Sequence, residues 1–342
     1  MSAVVLLYGT AYSTGGGAGS AGAYLRPAVG ATAMAMGGAY SASPGYLISW
    51  YTPSFLASLR ESRVSVGGAY RSMGRTEAFS SFEFRVPPRL GAGITVLYRG
   101  DPFITGLYDG YYNEQGIVIE EQPLERAAFS TLTTRLGAGY LFSRSLYLGG
   151  SIAVFYQNQP MASAGDGTVL NESVTSIGGF DLAATYIAGD NLNVSFSVKN
   201  LGARVNWQIQ SNSWQDVVVD VHMLPSFVLA GSLNTSLNER PLVVNVDLVS
   251  HLIDGQWKRL KAPELTVKGG AQWQYWENFY LMAGIGDLEF STEMADRFSP
   301  RVTAGFSWHL ERFSQGTWLH YALATDRVWA GIDQQIDVTF SF

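Results

Sequence analysis

Residues 332–342 read Ile-Asp-Gln-Gln-Ile-Asp-Val-Thr-Phe-Ser-Phe. Ile332, Ile336, Val338, Phe340 and Phe342 share one parity, with Gln334 as its only polar member. Asp333, Gln335, Asp337, Thr339 and Ser341 share the other. A strand sends alternate side chains to opposite faces, so this segment has one greasy face and one hydrophilic face. A soluble sandwich can produce such alternation. So can the closing strand of a bacterial outer-membrane barrel, which would turn Val338, Phe340 and Phe342 toward lipid and the insertion machinery.

The rest of the chain favours the barrel. Apolar residues make up 47% of the 342 positions, and no apolar run approaches the roughly 18 residues that a membrane-spanning helix needs. A chain of this kind crosses a membrane only as a closed barrel, where every backbone group is satisfied between strands. From residue 63 onward the sequence divides into about fourteen amphipathic segments, within the range of such barrels. Leu192, Val194, Phe196 and Val198 alternate with Asn193, Ser195, Ser197 and Lys199. Similar patterns run over 146–156 and 265–274. Short connections fall near Pro87-Pro88, Ser143-Arg144, 189–191, 238–240, 277–278 and 311–315, and long ones at 100–125, 157–173, 205–223, 250–262 and 287–300. Short periplasmic turns alternating with long outer loops would put both barrel ends in the periplasm.

The N-terminal sixty residues differ. Residues 1–13 hold a short apolar run, Ala3 to Leu7, followed by small residues, and suit the end of a signal peptide without its basic start. Residues 14–62 are rich in Gly, Ala and Met and lack strand alternation, with a short helix expected after Pro53. This span is expected to fold into the lumen as a hatch, and residues 63–342 to form an antiparallel up-and-down transmembrane β-barrel.

Val29-Gly30-Ala31-Thr32-Ala33-Met34-Ala35-Met36-Gly37-Gly38-Ala39-Tyr40 resembles the opening of PorV/PorQ-family outer-membrane proteins, within the wider FadL-like barrels, where GARALAMGGAY is usual. Ser49-Trp50-Tyr51-Thr52-Pro53-Ser54-Phe55-Leu56-Ala57 resembles the family's YWNPAGLA element, with Thr52 where Asn is usual. Val198-Lys199-Asn200-Leu201-Gly202 resembles its NLG strand end, and Leu319-His320-Tyr321-Ala322-Leu323 its LDYAY hairpin, with His320 for Asp. The resemblance implies a fourteen-strand barrel with a lumenal hatch, its motif carried by Met36, Gly37, Gly38, Ala39, Tyr40, Trp50 and Pro53.

Charge and motifs narrow the function. With no cysteine, disulfides and thiol chemistry are excluded. The net charge of −6 without a basic block argues against nucleic acid. His222, His251, His309 and His320 show no metal-binding spacing. Neither a nucleophile elbow nor a phosphate-binding loop is present. His251 and Asp247 share a strand parity, which alone is too little for a hydrolase. No enzyme activity, metal or cofactor is expected.

Arg71, Glu83, Arg85, Arg99, Arg135, Asp181, Lys199, Asp247, Lys268, Asp333 and Asp337 mostly take the parity opposite the greasy face. A lysine or arginine facing lipid at the midplane costs about 2–4 kcal/mol, so these charges are expected to line the lumen. Either they form a structural ion-pair network or they line a polar conduit. Aromatics such as Tyr108, Tyr111, Trp207 and Trp214 fall in long connections, as girdle anchors or as a binding surface. The resemblance points to an accessory of type IX-like secretion or surface attachment, with a cargo or secretion-system partner at the outer loops. The alternatives are a FadL-like passive transporter of a hydrophobic small molecule and a structural envelope barrel. A transporter should show an apolar pocket beside the hatch and a lateral kink in the wall.

Overall fold

The computed structural model describes residues 25–342 apart from 105–107, 113–117, 124–126, 163–168, 210–216, 224, 252–263, 291–299, 312–315 and 327–330. Its strands are β1 (Arg63–Tyr70), β2 (Thr76–Val86), β3 (Leu90–Ile104), β4 (Tyr108–Tyr112), β5 (Val118–Pro123), β6 (Ala127–Leu141), β7 (Leu146–Ala162), β8 (Val169–Ala188) and β9 (Leu192–Leu201). They continue as β10 (Arg204–Ile209), β11 (Val217–His222), β12 (Ser226–Leu237), β13 (Arg240–His251), β14 (Glu264–Trp276), β15 (Phe279–Phe290), β16 (Arg301–His309), β17 (Thr317–Thr325) and β18 (Ile332–Ser341). Fourteen of them close an antiparallel ring, in the order β1–β3, β6–β9 and β12–β18. β18 closes it by pairing with β1, from Arg63↔Ser341 to Tyr70↔Gln334. Two further bonds between Ser62 and Phe342 extend that closure.

The alternation of β18 is the one its sequence dictates. Asp333, Gln335, Asp337 and Thr339 are buried inside, while Ile332, Ile336 and Phe340 are exposed outside and Val338 is half-covered. The same division runs round the ring. Leu136, Phe180, Leu182, Tyr186, Phe196 and Leu229 form part of an apolar exterior, and Ser81, Thr95, Thr133, Ser195 and Asn245 face inward. A continuous apolar outer surface of this kind is suited to lipid, since water would leave it unburied.

The connections differ from the sequence expectation at three places. The stretch 157–173 is mostly strand, because β7 runs to Ala162 and β8 starts at Val169. The stretch 100–125 contains the β4–β5 hairpin, and 205–223 contains β10–β11. Apolar alternation is imposed only where lipid bounds a strand, whereas the hydrogen-bond ladder can continue past it. Loop aromatics Tyr108, Tyr111 and Trp207 therefore lie on strands, and Trp214 falls outside the described residues.

Ahead of β1, most of residues 25–59 pack against the inner face of the ring. They form α1 (Ala31–Ala35), α2 (Ile48–Tyr51) and a 3-10 helix, Pro53–Ser58, with Pro53 at its first position, where a missing N–H costs nothing. Met36 is followed by Gly37 (φ 67°) and Gly38 (φ 82°), left-handed conformations that glycine adopts without steric penalty. The wall makes room for this segment with glycines. Gly91, Gly139 and Gly149 stand opposite one another across β3, β6 and β7. A Cβ on Gly91 would come within 1.8 Å of the Leu56 carbonyl oxygen, and one on Gly149 within 2.3 Å of the Ser54 nitrogen. Gly270 and Gly284, paired across β14 and β15, receive Met36 in the same way.

Candidate functional site

The lumen holds the inner segment mainly by its backbone. Three wall carboxylates accept its amide hydrogens. Asp337 on β18 takes the Ala31 N–H at 2.5 Å, and Asp247 on β13 takes those of Tyr40 and Ser41 at 3.2 and 3.0 Å. Glu83 on β2 takes that of Ser49 at 3.0 Å. Four cations reach its carbonyls. Arg71 donates to Ala28 at 2.8 Å, Arg99 to Pro27 at 3.2 Å, and Arg135 and Lys199 both to Trp50 at 3.4 Å. The Arg135 guanidinium also lies 4.6 Å from the centre of the Trp50 ring, within cation–π range.

The charged positions singled out in the sequence fall into distinct groups. Arg99, Glu77, Arg71, Asp333 and Arg301 form an alternating ion-pair chain toward the end with the hairpin connections. Arg99 and Arg71 meet Glu77 at 2.7 and 2.8 Å, and Arg71 and Arg301 both meet Asp333. Glu77 and Arg301 escaped the sequence reading, although Glu77 shares the strand parity of Glu83. Lys268 stands opposite Asp247 on the neighbouring strand, against Gly38. Arg85 has the inward parity but lies exposed at the last turn of β2, outside every one of these groups.

His320, which showed no metal-binding spacing in the sequence, lies inside the barrel. It is buried on β17, where its Nδ1 meets the Ser307 hydroxyl at 2.7 Å and Thr32 at 3.3 Å. The Tyr46 ring stacks on it at 4.7 Å, and the Tyr46 hydroxyl donates to Asp337. Burial, and then the Asp337 carboxylate, push that hydroxyl well above its ordinary value, so it stays protonated as a donor. Burial likewise raises the hydroxyls of Tyr40 and Tyr51. Thr52, which departs from the usual Asn, donates its hydroxyl to the Ser41 carbonyl and ties the two halves of the inner segment together. Among the described residues no three acidic or histidine side chains gather as a metal site.

One sector of the wall breaks the regular ladder. β8 and β9 pair from Ala188↔Leu192 to Leu182↔Val198, and the next pair is Phe180↔Leu201. Lys199 and Asn200 therefore both stand opposite Asp181, with Asn200 in a left-handed conformation (φ 60°). At the same level the β7–β8 register slips beside Gly178. β10 rejoins β8 only over Trp207↔Val174 to Ile209↔Glu172. Among the described residues, positions 175–179 of β8 have no strand partner on this side.

The inner lining of this break is apolar, as are patches elsewhere in the lumen around Phe79, Leu97 and Val228. Phe155 and Ala153 on β7, Ala203 after β9 and Met223 before β12 form one buried cluster, and Leu25 of the inner segment packs on it. Leu25 also packs on the larger cluster of Met34, Met36, Tyr40, Phe79 and Leu97. A continuous apolar surface thus runs from the break to the interior. The sequence reading missed it because Ala153 and Phe155 occupy the inward parity of β7, where apolar residues look like lapses in a polar face.

The closed fourteen-strand antiparallel barrel has counterparts among solved structures. The chain is similar in fold to the toluene transporter TodX of Pseudomonas putida (TM-score 0.60, 13% identity, 92% of this chain and 99% of that one). It is also similar to the toluene transporter TbuX of Ralstonia pickettii (0.59, 13%, 92% and 99%). A FadL homologue from Pseudomonas aeruginosa gives 0.55 at 8% identity, covering 92% and 98%. No family model matches the sequence, and no curated protein matches it.

Proposed function

We propose that the protein is a passive conduit of the bacterial outer membrane for a hydrophobic small molecule, with the inner segment as a hatch and the wall break as a lateral exit. The observation that carries this is that one of the lumen's apolar clusters coincides with the interrupted β8–β9 ladder and is joined through Leu25 to the larger one. An apolar solute gains nothing by crossing a polar lumen. It gains roughly 25 cal/mol per Å² of apolar surface kept from water along Leu25, Phe155 and Met223, and the break then opens toward the hydrocarbon of the membrane. The structural neighbours, named as hydrocarbon channels and toluene transporters, support the conduit over the secretion accessory. The secretion reading rests on the resemblance of the elements at 29–40, 49–57, 198–202 and 319–323, and the structural neighbours add nothing to it.

The exit can be stapled. A Cβ on Gly179 would lie 3.3 Å from that of Ala203, close to the roughly 3.5–4.5 Å of a disulfide. The chain has no native cysteine to interfere. Gly179→Cys with Ala203→Cys should cut uptake of radiolabelled toluene when oxidised and restore it on reduction, while uptake by each single variant should not depend on the redox state. Equal uptake by the oxidised and reduced forms would refute the lateral exit.

A further inference from the structure

We infer that Asp181 is the positioning residue that holds the wall break in shape and ties it to the hatch. The inference rests on the lateral exit proposed above. Asp181 lies on β8 at the level of the break, buried on the inward face. Its Oδ1 accepts the N–H of Asn200 at 2.8 Å, and its Oδ2 accepts from Arg135 and from the Ser151 hydroxyl at 3.0 Å.

Regular antiparallel pairing would satisfy the Asn200 N–H with a β8 carbonyl. Here the bulge turns that N–H inward, where a buried donor without an acceptor is penalised. Asp181 supplies the acceptor, so the left-handed Asn200 and the turn through Gly202 (φ 65°) remain the favoured path of β9. That path carries Ala203 to the apolar cluster rather than along β8. Through its other oxygen the same carboxylate fixes Arg135, whose guanidinium covers the Trp50 ring and donates to the Trp50 carbonyl. One side chain thus shapes the wall on one side and grips the hatch on the other. A purely structural ion pair would need only the contact with Arg135.

Two neutral double variants separate these roles at equal charge. Asp181→Asn with Arg135→Gln keeps an oxygen for the Asn200 N–H. Asp181→Ala with Arg135→Gln removes the acceptor. The full-length proteins, purified in detergent, are compared by hydrogen exchange at the Asn200 amide, and in cells by toluene uptake. The Ala variant should exchange at Asn200 about tenfold faster or more, as expected for a lost buried hydrogen bond. It should also lose uptake by a similar factor relative to the Asn variant, which shares its Arg135→Gln change and should match wild type in exchange at Asn200. Unchanged exchange at Asn200 in the Ala variant would overturn the inference whatever happens to uptake. Faster exchange with undiminished uptake would overturn it as well, because the bulge would then not shape the exit. Failure of the lateral exit itself shows separately, as a Gly179–Ala203 disulfide that leaves uptake intact.

Discussion

At Gly149 the absence of a side chain is a requirement of packing rather than of backbone conformation. Any Cβ there meets the Ser54 nitrogen and the Pro53 carbonyl carbon at 2.3 and 2.5 Å, and neither backbone atom can swing aside as a side chain would. Gly231, on β12, has nothing within 4 Å of the corresponding point. Gly149→Ala should therefore destabilise the folded barrel by about 1–3 kcal/mol through overpacking, and Gly231→Ala should leave it unchanged. The temperature at which the barrel loses its fast-migrating form on unboiled SDS gels measures both. A similar drop for the two variants would mean that the 3-10 helix does not press on β7.

Among the elements, the inner segment carries three tyrosines whose hydroxyls burial holds above their ordinary range. Tyr51 clamps Val29 by accepting its N–H at 2.9 Å and donating to its carbonyl at 2.8 Å, while Tyr46 accepts from Thr32 and donates to Asp337. The sign follows from proton counting. A released segment would ionise these groups near the ordinary value of about 10, whereas the docked one keeps them protonated. Docking is thus at full strength below about pH 10 and weakens as pH rises beyond it, by up to about 1.4 kcal/mol per pH unit for each tyrosine. Accessibility of a fluorophore-reactive cysteine placed at Ser43 should rise above pH 10 in the wild type. The onset should move higher in the Tyr40→Phe/Tyr46→Phe/Tyr51→Phe variant. An identical pH onset in both would show that these hydroxyls do not govern docking.

For the molecule as a whole, removing residues 14–62 should leave a ring that still inserts, because its hydrogen bonds run strand to strand. Fourteen strands enclose more space than side chains alone fill, so the truncated barrel should conduct ions in planar bilayers while the full-length protein stays nearly closed. A closed truncated barrel would assign the sealing to the connections. The ring was legible in the sequence because lipid imposes a period of two, as in Leu192 to Val198 and in the last strand. The interior was less so. Arg135 and Asp181 are 46 positions apart, and only the register of β6, β7 and β8 brings them together. α1 lay hidden because a segment surrounded by wall on all sides has no polar face to give it a period. The apolar lining of the break was disguised by its place on the inward parity.

The grip of wall side chains on the amides and carbonyls of residues 27–50 has an evolutionary consequence. Asp247, Asp337 and Glu83 would hold any residue that offers an N–H at the right place, and Arg71, Arg99 and Lys199 any that offers a carbonyl. Substitutions at those positions of the inner segment that offer only backbone groups are therefore nearly silent to these sockets so long as they remain small enough to fit, and descendants of one barrel could drift apart there while threading the same route. What the wall inherits is the memory of a path, not of a sequence.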